Sequence, residues 1–537
     1  MKQLLSKYML IFTTLMCFCT FANAQADNDI VLKAMKSEID RSLVGFEKDS
    51  LAKPFFISLL VNETDLEYTY TTLFGKANKE STNTRISRDA SPLILVGSYH
   101  RMQNIGGRSN RFPIPVSDDE RAIRSAIWLN LDNEYKNAAK NYVDKMAWLH
   151  QEKLTNEELA LNDFEKRNAT ILIEEAKEQK MNFEPIKKAS LQIGQLLTQK
   201  VRREKLIVES LSTMFSFSSE VIRYYDTEGS MYKYPSGSGT FNLKLSGVNA
   251  EGENVSAYRN FRMNDLSKFP TAIELEKAVD DVVKEYRLKF TTEKSNDPYM
   301  GPVLIVDGQV EEVVRQIVNS LFTSPKTRYS NGNHYQNLPN VRILSKQLSL
   351  SIDYGKDAQG KPGVKRDFAP IDLQAVIPPD SIILIENGIL KNMLTSRQPV
   401  QKHRYSNGNA KKGNRVDGVI TFTGNERYSI EQIKKMLIDE AKLQGLEYAY
   451  IISNDDRLHR KLNVETGEET PFAASINLGQ IMKTMRRVMG VEDQLAASSD
   501  GTVRYPKSVL LEDAEITVHK SNARLKKDVV PRPKIEH

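Results

Sequence analysis

Residues that could bind a catalytic metal are few and scattered in this sequence. No two of the 7 histidines lie within one helical turn, so no HxxxH or HExxH spacing occurs; they are His100, His150, His334, His403, His459, His519 and His537. Hydrolytic zinc needs about three protein ligands from His, Cys and carboxylates, and an open position for water. A metal site assembled from distant parts of the fold stays an alternative, but we interpret each histidine as a surface or hydrogen-bonded residue.

Other catalytic arrangements do not emerge from the sequence either. It has no G-x-S-x-G elbow, no Walker loop and no Gly-rich dinucleotide fingerprint after a strand. The adjacent carboxylates at 118–119 and 455–456 are typical of helix caps and turns. The sequence therefore identifies no catalytic residue from its motifs.

The first 24 residues have the pattern of a signal peptide. Lys2 and Lys7 flank the start of the apolar run 8–21, and Ala22-Asn23-Ala24 is a small-x-small cleavage site before Gln25. We therefore expect an exported, periplasmic protein that begins near Gln25. The run is too short for a transmembrane anchor. A lipoprotein modified at Cys17 or Cys19 ranks second, because neither cysteine follows a convincing lipobox.

Cysteine usage and charge exclude several classes of protein. Both cysteines lie within the signal, so the mature chain would have no disulfide, no thiol nucleophile and no Cys-ligated zinc. Loss of Lys2 and Lys7 lowers the formal charge from +6 to +4 (6 − 2). With both signs well mixed, that charge predicts no nucleic-acid partner.

The hydrophobic pattern alternates between helical and strand periods without a regular βαβ repeat. This predicts an α+β architecture, with mixed or antiparallel sheets and flanking helices. Helices are expected at 30–43, 118–153, 186–200, 271–288, 429–443 and 474–489. Strands are expected within 54–63, 67–75, 92–100, 218–234, 239–261, 341–353, 381–394 and 416–424. We interpret the highly charged segment 154–180 as a solvated insertion, helical or irregular.

A polar stretch that ends in Pro298 and Gly301-Pro302 predicts the main domain boundary. We accordingly divide the chain into a signal, an N-terminal α+β domain, a C-terminal domain and a mobile tail rich in Lys and Pro. Their bounds are 1–24, 25–295, 296–520 and 521–537.

The segment 299–322 contains one strongly amphipathic helix. Its apolar positions follow helical spacing and predict a stripe that packs into the core; they are Val310, Val313, Val314, Ile317, Val318 and Leu321. Arg315, Gln316 and Asn319 project off that stripe, toward solvent or a cavity.

Several separated blocks of the sequence resemble the TldD/PmbA family, including its longer exported branch. In chain order they are LKAMKSEIDRSL, ILVGSY, DDERAIRSAIWLNLDNEYKNAAKNYVDKMA, RYYDTEGS, YMGPVLI, IILIENGILKNMLTSR, YSNGNAKK and YPKSVLLEDAEITVHK. Thr227 in RYYDTEGS stands where the family usually has serine. Each block alone is a weak signal of the family, but together, in this order, the blocks cover nearly the whole mature chain.

The resemblance implies a two-domain chain that dimerises around an enclosed cavity. In the best-known members one subunit carries a metal and its homologous partner does not, and a metal-activated water hydrolyses peptides or unfolded polypeptides. The family's HExxxH ligands would fall on Arg315, Gln316 and Ser320. Arginine is a permanent cation, glutamine is no general base and serine is a poor zinc ligand. The family's further cysteine ligand has no counterpart, so we expect zinc only in a partner subunit.

Two turns are expected to border that cavity by the same resemblance. Asn387-Gly388 alone indicates a two-residue hairpin turn between apolar strands. The loop 405–412 offers amide and backbone groups for a peptide main chain at Ser406, Asn407, Gly408 and Asn409, with Lys411 and Lys412 to attract a carboxylate. A solvated loop with ordinary turn residues is an equally good interpretation.

Three functions therefore stay open at this point. The first is a metal-free, pseudoenzyme subunit that partners a metal-bearing homologue, as a hetero- or homodimer, in the proteolysis of peptides. The second is an autonomous peptidase that uses a relocated metal site or none. The third is a periplasmic peptide-binding or scaffold protein without enzymatic activity. We favour the first.

Overall fold

A computed structural model describes residues 28–46, 51–103, 111–152, 155–174, 181–249, 254–291, 298–323, 335, 338–355, 369–400, 402–410, 416–453, 458–473, 476–477 and 481–518. The predicted signal peptide and C-terminal tail lie outside these residues, as do Lys411 and Lys412. No helix within the described ranges combines the length and the apolar character needed to cross a membrane.

The first half of the chain forms one seven-stranded sheet. Its strand order is β3-β2-β1-β5-β6-β4, and β7 also pairs with β6. These strands are β1 (Pro54–Leu73), β2 (Lys76–Val96), β3 (Phe112–Pro113), β4 (Ile171–Ile173), β5 (Ser210–Asp226), β6 (Met231–Val248) and β7 (Asn254–Met263). The helices are α1 (Ile30–Phe46), α2 (Glu120–Gln151), α3 (Asn156–Ala160), α4 (Glu184–Arg203) and α5 (Ala272–Thr291).

Four of these helices cover one face of the seven-stranded sheet. Alternate residues of β1 and β5 point to that face, where α1 and α2 bury one apolar cluster and α4 and α5 bury another. The opposite face holds polar residues over much of its length, including Ser216 and Thr240, whose hydroxyl oxygens lie 2.8 Å apart. An antiparallel sheet with one covered face has this inside–outside alternation.

The second half contains two further sheets. A six-stranded sheet has the order β11-β10-β9-β12-β20-β19, and an eight-stranded sheet has β13-β18-β21-β8-β14-β15-β16 with β17 on β21. Their strands are β8 (Tyr299–Val306), β9 (Leu348–Asp353), β10 (Ser381–Glu386), β11 (Ile389–Leu390), β12 (Val419–Gly424), β13 (Arg427–Tyr428), β14 (Tyr448–Ser453), β15 (Leu458–Asn463), β16 (Glu469–Ala473), β17 (Ile476–Asn477), β18 (Val488–Glu492), β19 (Leu495–Ala497), β20 (Val503–Pro506) and β21 (Ser508–Val518). The helices are α6 (Gly308–Ser320), α7 (Ile430–Leu443) and α8 (Ile481–Thr484).

The largest apolar cluster lies between these two sheets and includes the inner side of α6. Helix α7 packs on the other face of the eight-stranded sheet, through Ile433, Leu437 and Ala441. The α+β class with mixed and antiparallel sheets and flanking helices is thus confirmed. All strands before residue 292 belong to the first sheet and all those after 297 to the other two. The division at 295/296 itself stays a prediction.

Three sequence predictions about elements were wrong. The segments 54–63 and 67–75 form one strand, β1, because a bulge between Thr64 and Leu66 keeps it paired with both β2 and β5. Among the described residues of the helix expected at 474–489, only the four of α8 are helical, since Ile476–Asn477 and Val488–Glu492 pair with β21 instead. The segment 154–180 is not simply solvated, because Leu161, Asp163 and Phe164 are buried.

Candidate functional site

Helix α6 buries the predicted apolar stripe. Val310, Val313, Val314, Ile317 and Val318 are buried along it, and Leu321 follows at the C-terminal cap. Asp307, at the N-terminal cap, has a φ of 47° and makes no side-chain capping hydrogen bond. The stripe fixes the rotation of the helix, so the positions between its members must face away from this core.

Arg315 projects from α6 into an ion-pair network. Its Nε donates to Glu311 Oε1 at 2.8 Å, and one terminal nitrogen lies 3.2 Å from both carboxylate oxygens of Asp500. The same nitrogen donates to Thr502 Oγ1 at 2.9 Å. The guanidinium therefore holds α6 against the loop that enters β20.

Asp500 is a preorganised partner for cations. Burial acts to raise the pKa of Asp500, but hydrogen bonds from Thr502 and Ser498 and the charge of Arg315 outweigh it, so the pKa lies below its ordinary value. Arg262 of β7 approaches the same carboxylate to 4.0 Å, with its side chain 62% exposed. A strand of the first half and a helix of the second thus both present guanidiniums to Asp500.

The other two positions of the expected metal motif do not join Arg315 in a common site. Gln316 is exposed and donates to Glu312 Oε1 at 2.9 Å. Ser320 donates to Ile317 O at 2.6 Å in its own helix and lies 3.5 Å from Met482 Sδ. A fixed cation, an amide and a hydroxyl that bonds its own helix are not a zinc ligand set, so these residues do not fit the family's metal.

The described histidines lie in separate parts of the fold. His100 Nδ1 lies 3.2 Å from Asn162 Oδ1, His150 is in the last turn of α2 and the His459 ring lies 5.4 Å from that of Phe472. Burial lowers the pKa of His403. Within the described part of the chain, no three His, Cys, Asp or Glu side chains are grouped to hold a metal. His334, His519 and His537 lie outside the described residues.

The turn between β5 and β6 is built around a buried carboxylate. Asp226 accepts hydrogen bonds from the backbone N–H of Glu228 and of Ser230, at 2.9 Å each, and from the Tyr224 hydroxyl at 3.0 Å. Burial is the largest cause of the raised pKa of Asp226 and the Glu228 charge adds to it, against the hydrogen bonds and Arg397. Thr227 exchanges hydrogen bonds with the backbone of Ile57 and ties the turn to β1.

Arg397 joins this turn to the second half of the chain. Only 1% exposed, its guanidinium donates to both carboxylate oxygens of Glu228, at 2.6 and 2.8 Å, and to Glu165 O. It lies 4.4 Å from the ring centroid of Phe164, and the Tyr99 hydroxyl donates to Glu228 at 2.8 Å. We call Arg397, Glu228, Glu165, Phe164 and Tyr99 the clamp.

The loop 405–410 is held by Thr395, two residues before Arg397. The Thr395 hydroxyl donates to Tyr405 O at 2.8 Å and accepts from Asn407 N at 2.9 Å, while Thr395 N donates to Asn407 Oδ1 at 2.8 Å. Ser406 N donates to Glu165 Oε2 at 2.7 Å, and Asn409 Oδ1 accepts from the Tyr354 hydroxyl at 2.8 Å. The amides that the sequence suggested for peptide binding therefore make internal bonds.

The hairpin at Asn387-Gly388 forms as predicted between β10 and β11. Both residues have positive φ, 50° and 77°, and a Cβ on Gly388 would lie 2.4 Å from Leu344 O. Gly388 N donates to Leu348 O at the start of β9, whereas Tyr354, the partner of Asn409, directly follows that strand. Six residues of strand place the two turns about 20 Å apart. The structure does not bring these candidate cavity residues together at a single point.

No motif in the sequence indicated a role for Arg397, Glu228, Glu165 or Thr395. Three of them lie in blocks that carried the family resemblance: Glu228 in RYYDTEGS, and Thr395 and Arg397 in IILIENGILKNMLTSR. A second signal was the hexapeptide RYSNGN, which occurs twice, at 328–333 and 404–409. The first copy lies outside the described residues. The second is the loop that Thr395 holds.

The three sheets and their helices have a TldD/PmbA-like α+β fold, as the sequence resemblance implies. TldE from Thermococcus kodakarensis is similar over 90% of this chain and 100% of its own, with 15% identity and a TM-score of 0.55. Two proteins named as candidate modulators of DNA gyrase are similar as well. The one from Thermotoga maritima has 13% identity and a TM-score of 0.57, and covers 90% of this chain and 100% of its own.

The second gyrase-modulator structure, from Bacteroides thetaiotaomicron, has 10% identity and a TM-score of 0.57, and covers 91% of this chain and 98% of its own. No family model matches the sequence, and no curated protein matches it in sequence. At these identities the likeness establishes the TldD/PmbA-like fold, and the activity is a separate question.

Proposed function

We propose that this chain is a metal-free subunit of a peptidase assembly that works outside the cytoplasm. It pairs with a homologous, metal-bearing chain and helps to form the chamber in which peptides or unfolded polypeptides are hydrolysed. Zinc and the activated water belong to the partner. The chain supplies structure and substrate guidance.

The observation that carries this proposal is the environment of Arg315. A permanent cation stands at the first position of the expected metal motif, and Asp500, Glu311 and Thr502 bind it. A dication at the same place would meet the repulsion of the guanidinium, and the described residues place no group of three His, Cys, Asp or Glu side chains to hold it. The fold likeness to TldE supports an assembly of related chains as the setting.

Affinity purification of the tagged full-length chain from its native source tests the pairing. We expect a homologous chain with an HExxxH motif to copurify at a ratio near one to one. Recovery of this chain alone or only with copies of itself would count heavily against the proposal. An Arg397→Met variant, purified in parallel, shows whether capture depends on the intact fold.

Metal analysis of the purified chain tests whether it binds a catalytic metal of its own. We expect less than stoichiometric zinc and no chelator-sensitive cleavage of an unstructured peptide by this chain alone. Stoichiometric zinc with chelator-sensitive cleavage would establish the autonomous peptidase instead.

Export rests on the first 24 residues alone. N-terminal sequencing of the protein from the native source should begin near Gln25. An intact Met1 in the purified protein would overturn that part of the proposal.

A further inference from the structure

An exposed basic surface lies beside the clamp. It consists of two segments from opposite halves of the chain, and we call Lys166, Arg167, Lys402, Arg404 and Tyr405 the basic patch. Lys166, Lys402 and Arg404 are exposed, and Tyr405 is 75% exposed. Tyrosine and arginine, both present in the patch, are enriched at protein interfaces.

The clamp holds these two segments together. Ser406 N donates to Glu165 Oε2 at 2.7 Å, and Arg167 approaches Ser406 O at 3.5 Å. Glu165 N in turn donates to Arg397 O at 2.8 Å. The backbones that carry the patch are therefore fixed before any ligand arrives, which lowers the entropy lost on binding.

Among the described residues, Arg167 is the member of the patch that has an ion-pair partner, Glu165 at 3.0 Å. Glu165 is 11% exposed and already bonds Arg167 and Ser406 N. Lys166, Lys402 and Arg404 form no ion pair with another described residue. Other basic side chains on the surface do have such partners, as Lys136 has in Asp132 at 2.6 Å. An uncompensated cluster of one sign attracts a ligand of the opposite sign.

We infer that the basic patch binds an acidic segment of a polypeptide. Carboxylates suit separate lysine and arginine donors, and the Tyr405 ring offers contact area for a neighbouring apolar side chain. Nucleic acid fits less well, because four cations with one aromatic side chain are fewer contacts than phosphate-backbone sites commonly use. The inference rests on the proposed function, in that it names acidic polypeptides as the class that this subunit guides.

Fluorescence anisotropy with a labelled decamer of glutamate tests the inference on the purified full-length chain. We expect the K402E/R404E variant to bind the decamer at least tenfold more weakly than the unchanged chain. The matched control is K76E/K79E, which makes the same charge change at exposed positions of β2, on the order of 50 Å away along that strand. The control should keep its affinity within twofold.

Three results would overturn the inference. They are equal weakening by both double variants, no binding of the glutamate decamer at low salt, and tighter binding of a dT10 oligonucleotide than of the decamer. A neutral Gly-Ser decamer should not bind. These measurements need no partner chain, so their failure differs from the failure of the proposed function, which the copurification detects.

Discussion

Among the described residues, two ion pairs connect the halves of this chain, and they differ in their exposure to water. In the clamp, Arg397 is 1% exposed and Glu228 is 6% exposed, counted over their side chains. In the second contact, Arg262 is 62% exposed and reaches Asp500 only at 4.0 Å. Each contact joins a guanidinium of one half to a carboxylate of the other. Solvent therefore decides their relative strength more than the identity of the groups.

The two ion pairs lie at different positions along the first sheet. Tyr232, whose hydroxyl lies 3.4 Å from Asp372 O, is near the clamp end of β6, while Thr240 of the same strand pairs with Arg262. Eight residues of strand separate these rows by about 25 Å. The halves are thus fixed at the clamp end of the first sheet and only lightly connected about midway along β6, at Arg262. Relative movement should begin at the Arg262 contact.

The largest effect is expected from Arg397→Met. This change leaves the buried Glu228 carboxylate without its cation, so the free energy of unfolding should fall by about 3–5 kcal/mol. Urea denaturation followed by circular dichroism measures the loss.

The double variant R397M/E228Q is the control for that prediction. Removal of the charge at Glu228 should restore much of the stability, because glutamine would leave no unpaired charge in this buried position. If R397M costs less than 1 kcal/mol, the clamp is not the fixed end of the junction.

A smaller loss is expected from Thr395→Val. Valine keeps the shape but leaves Asn407 N and Tyr405 O without the hydroxyl that both contact, at a cost of about 2 kcal/mol. Thermal unfolding measures that cost. Limited proteolysis should then cut near Tyr405 sooner in the variant than in the unchanged chain. Cutting at unchanged rates in this loop would show that Thr395 does not hold it.

Local patterns in the sequence predicted helix α6 and the hairpin at Asn387-Gly388, because periodicity and turn chemistry act over a few residues. The clamp had no such signal: Arg397 and Glu228 are 169 positions apart, and nothing in either neighbourhood specifies the other. The prediction for 154–180 was wrong for the same reason, since Phe164 packs with Phe56 and Leu95 and against the Arg397 guanidinium, all distant in sequence. Pairing with β21 likewise takes Ile476–Asn477 and Val488–Glu492 out of the helix predicted at 474–489.

The two contacts should also respond to pH with opposite signs. The pKa of Asp226, beside the clamp, is raised above its ordinary value of 3.8. Asp226 therefore stabilises the fold fully below pH 3.8, and this stabilisation is lost as the pH rises through the folded-state pKa. The pKa of Asp500 is lowered below its ordinary value of 3.8. Asp500 therefore stabilises the fold above pH 3.8, and this stabilisation is lost as the pH falls through the folded-state pKa.

Thermal unfolding of Asp226→Asn and Asp500→Asn over a pH series tests these signs. At neutral pH the first change should raise the melting temperature and the second should lower it, and both differences should shrink as the pH falls below about 4. If the melting temperatures of the two variants changed with pH in the same way, Asp226 and Asp500 would not contribute to stability with opposite signs.

The smallest effect is expected from Arg262→Ala. An exposed pair at 4.0 Å that salt screens contributes at most about 0.5 kcal/mol, so the free energy of unfolding should barely change. The substitution should instead change local opening: amide hydrogen exchange in the Asp500 loop should become faster, while exchange around Arg397 should keep its rate. Arg259→Ala, on the same strand but paired with Glu285 within the first half, is the matched control and should leave exchange at Asp500 unchanged. Equal quickening at both ends would mean that the two contacts open together, and the junction would then be one rigid unit rather than a fixed end and a loose one.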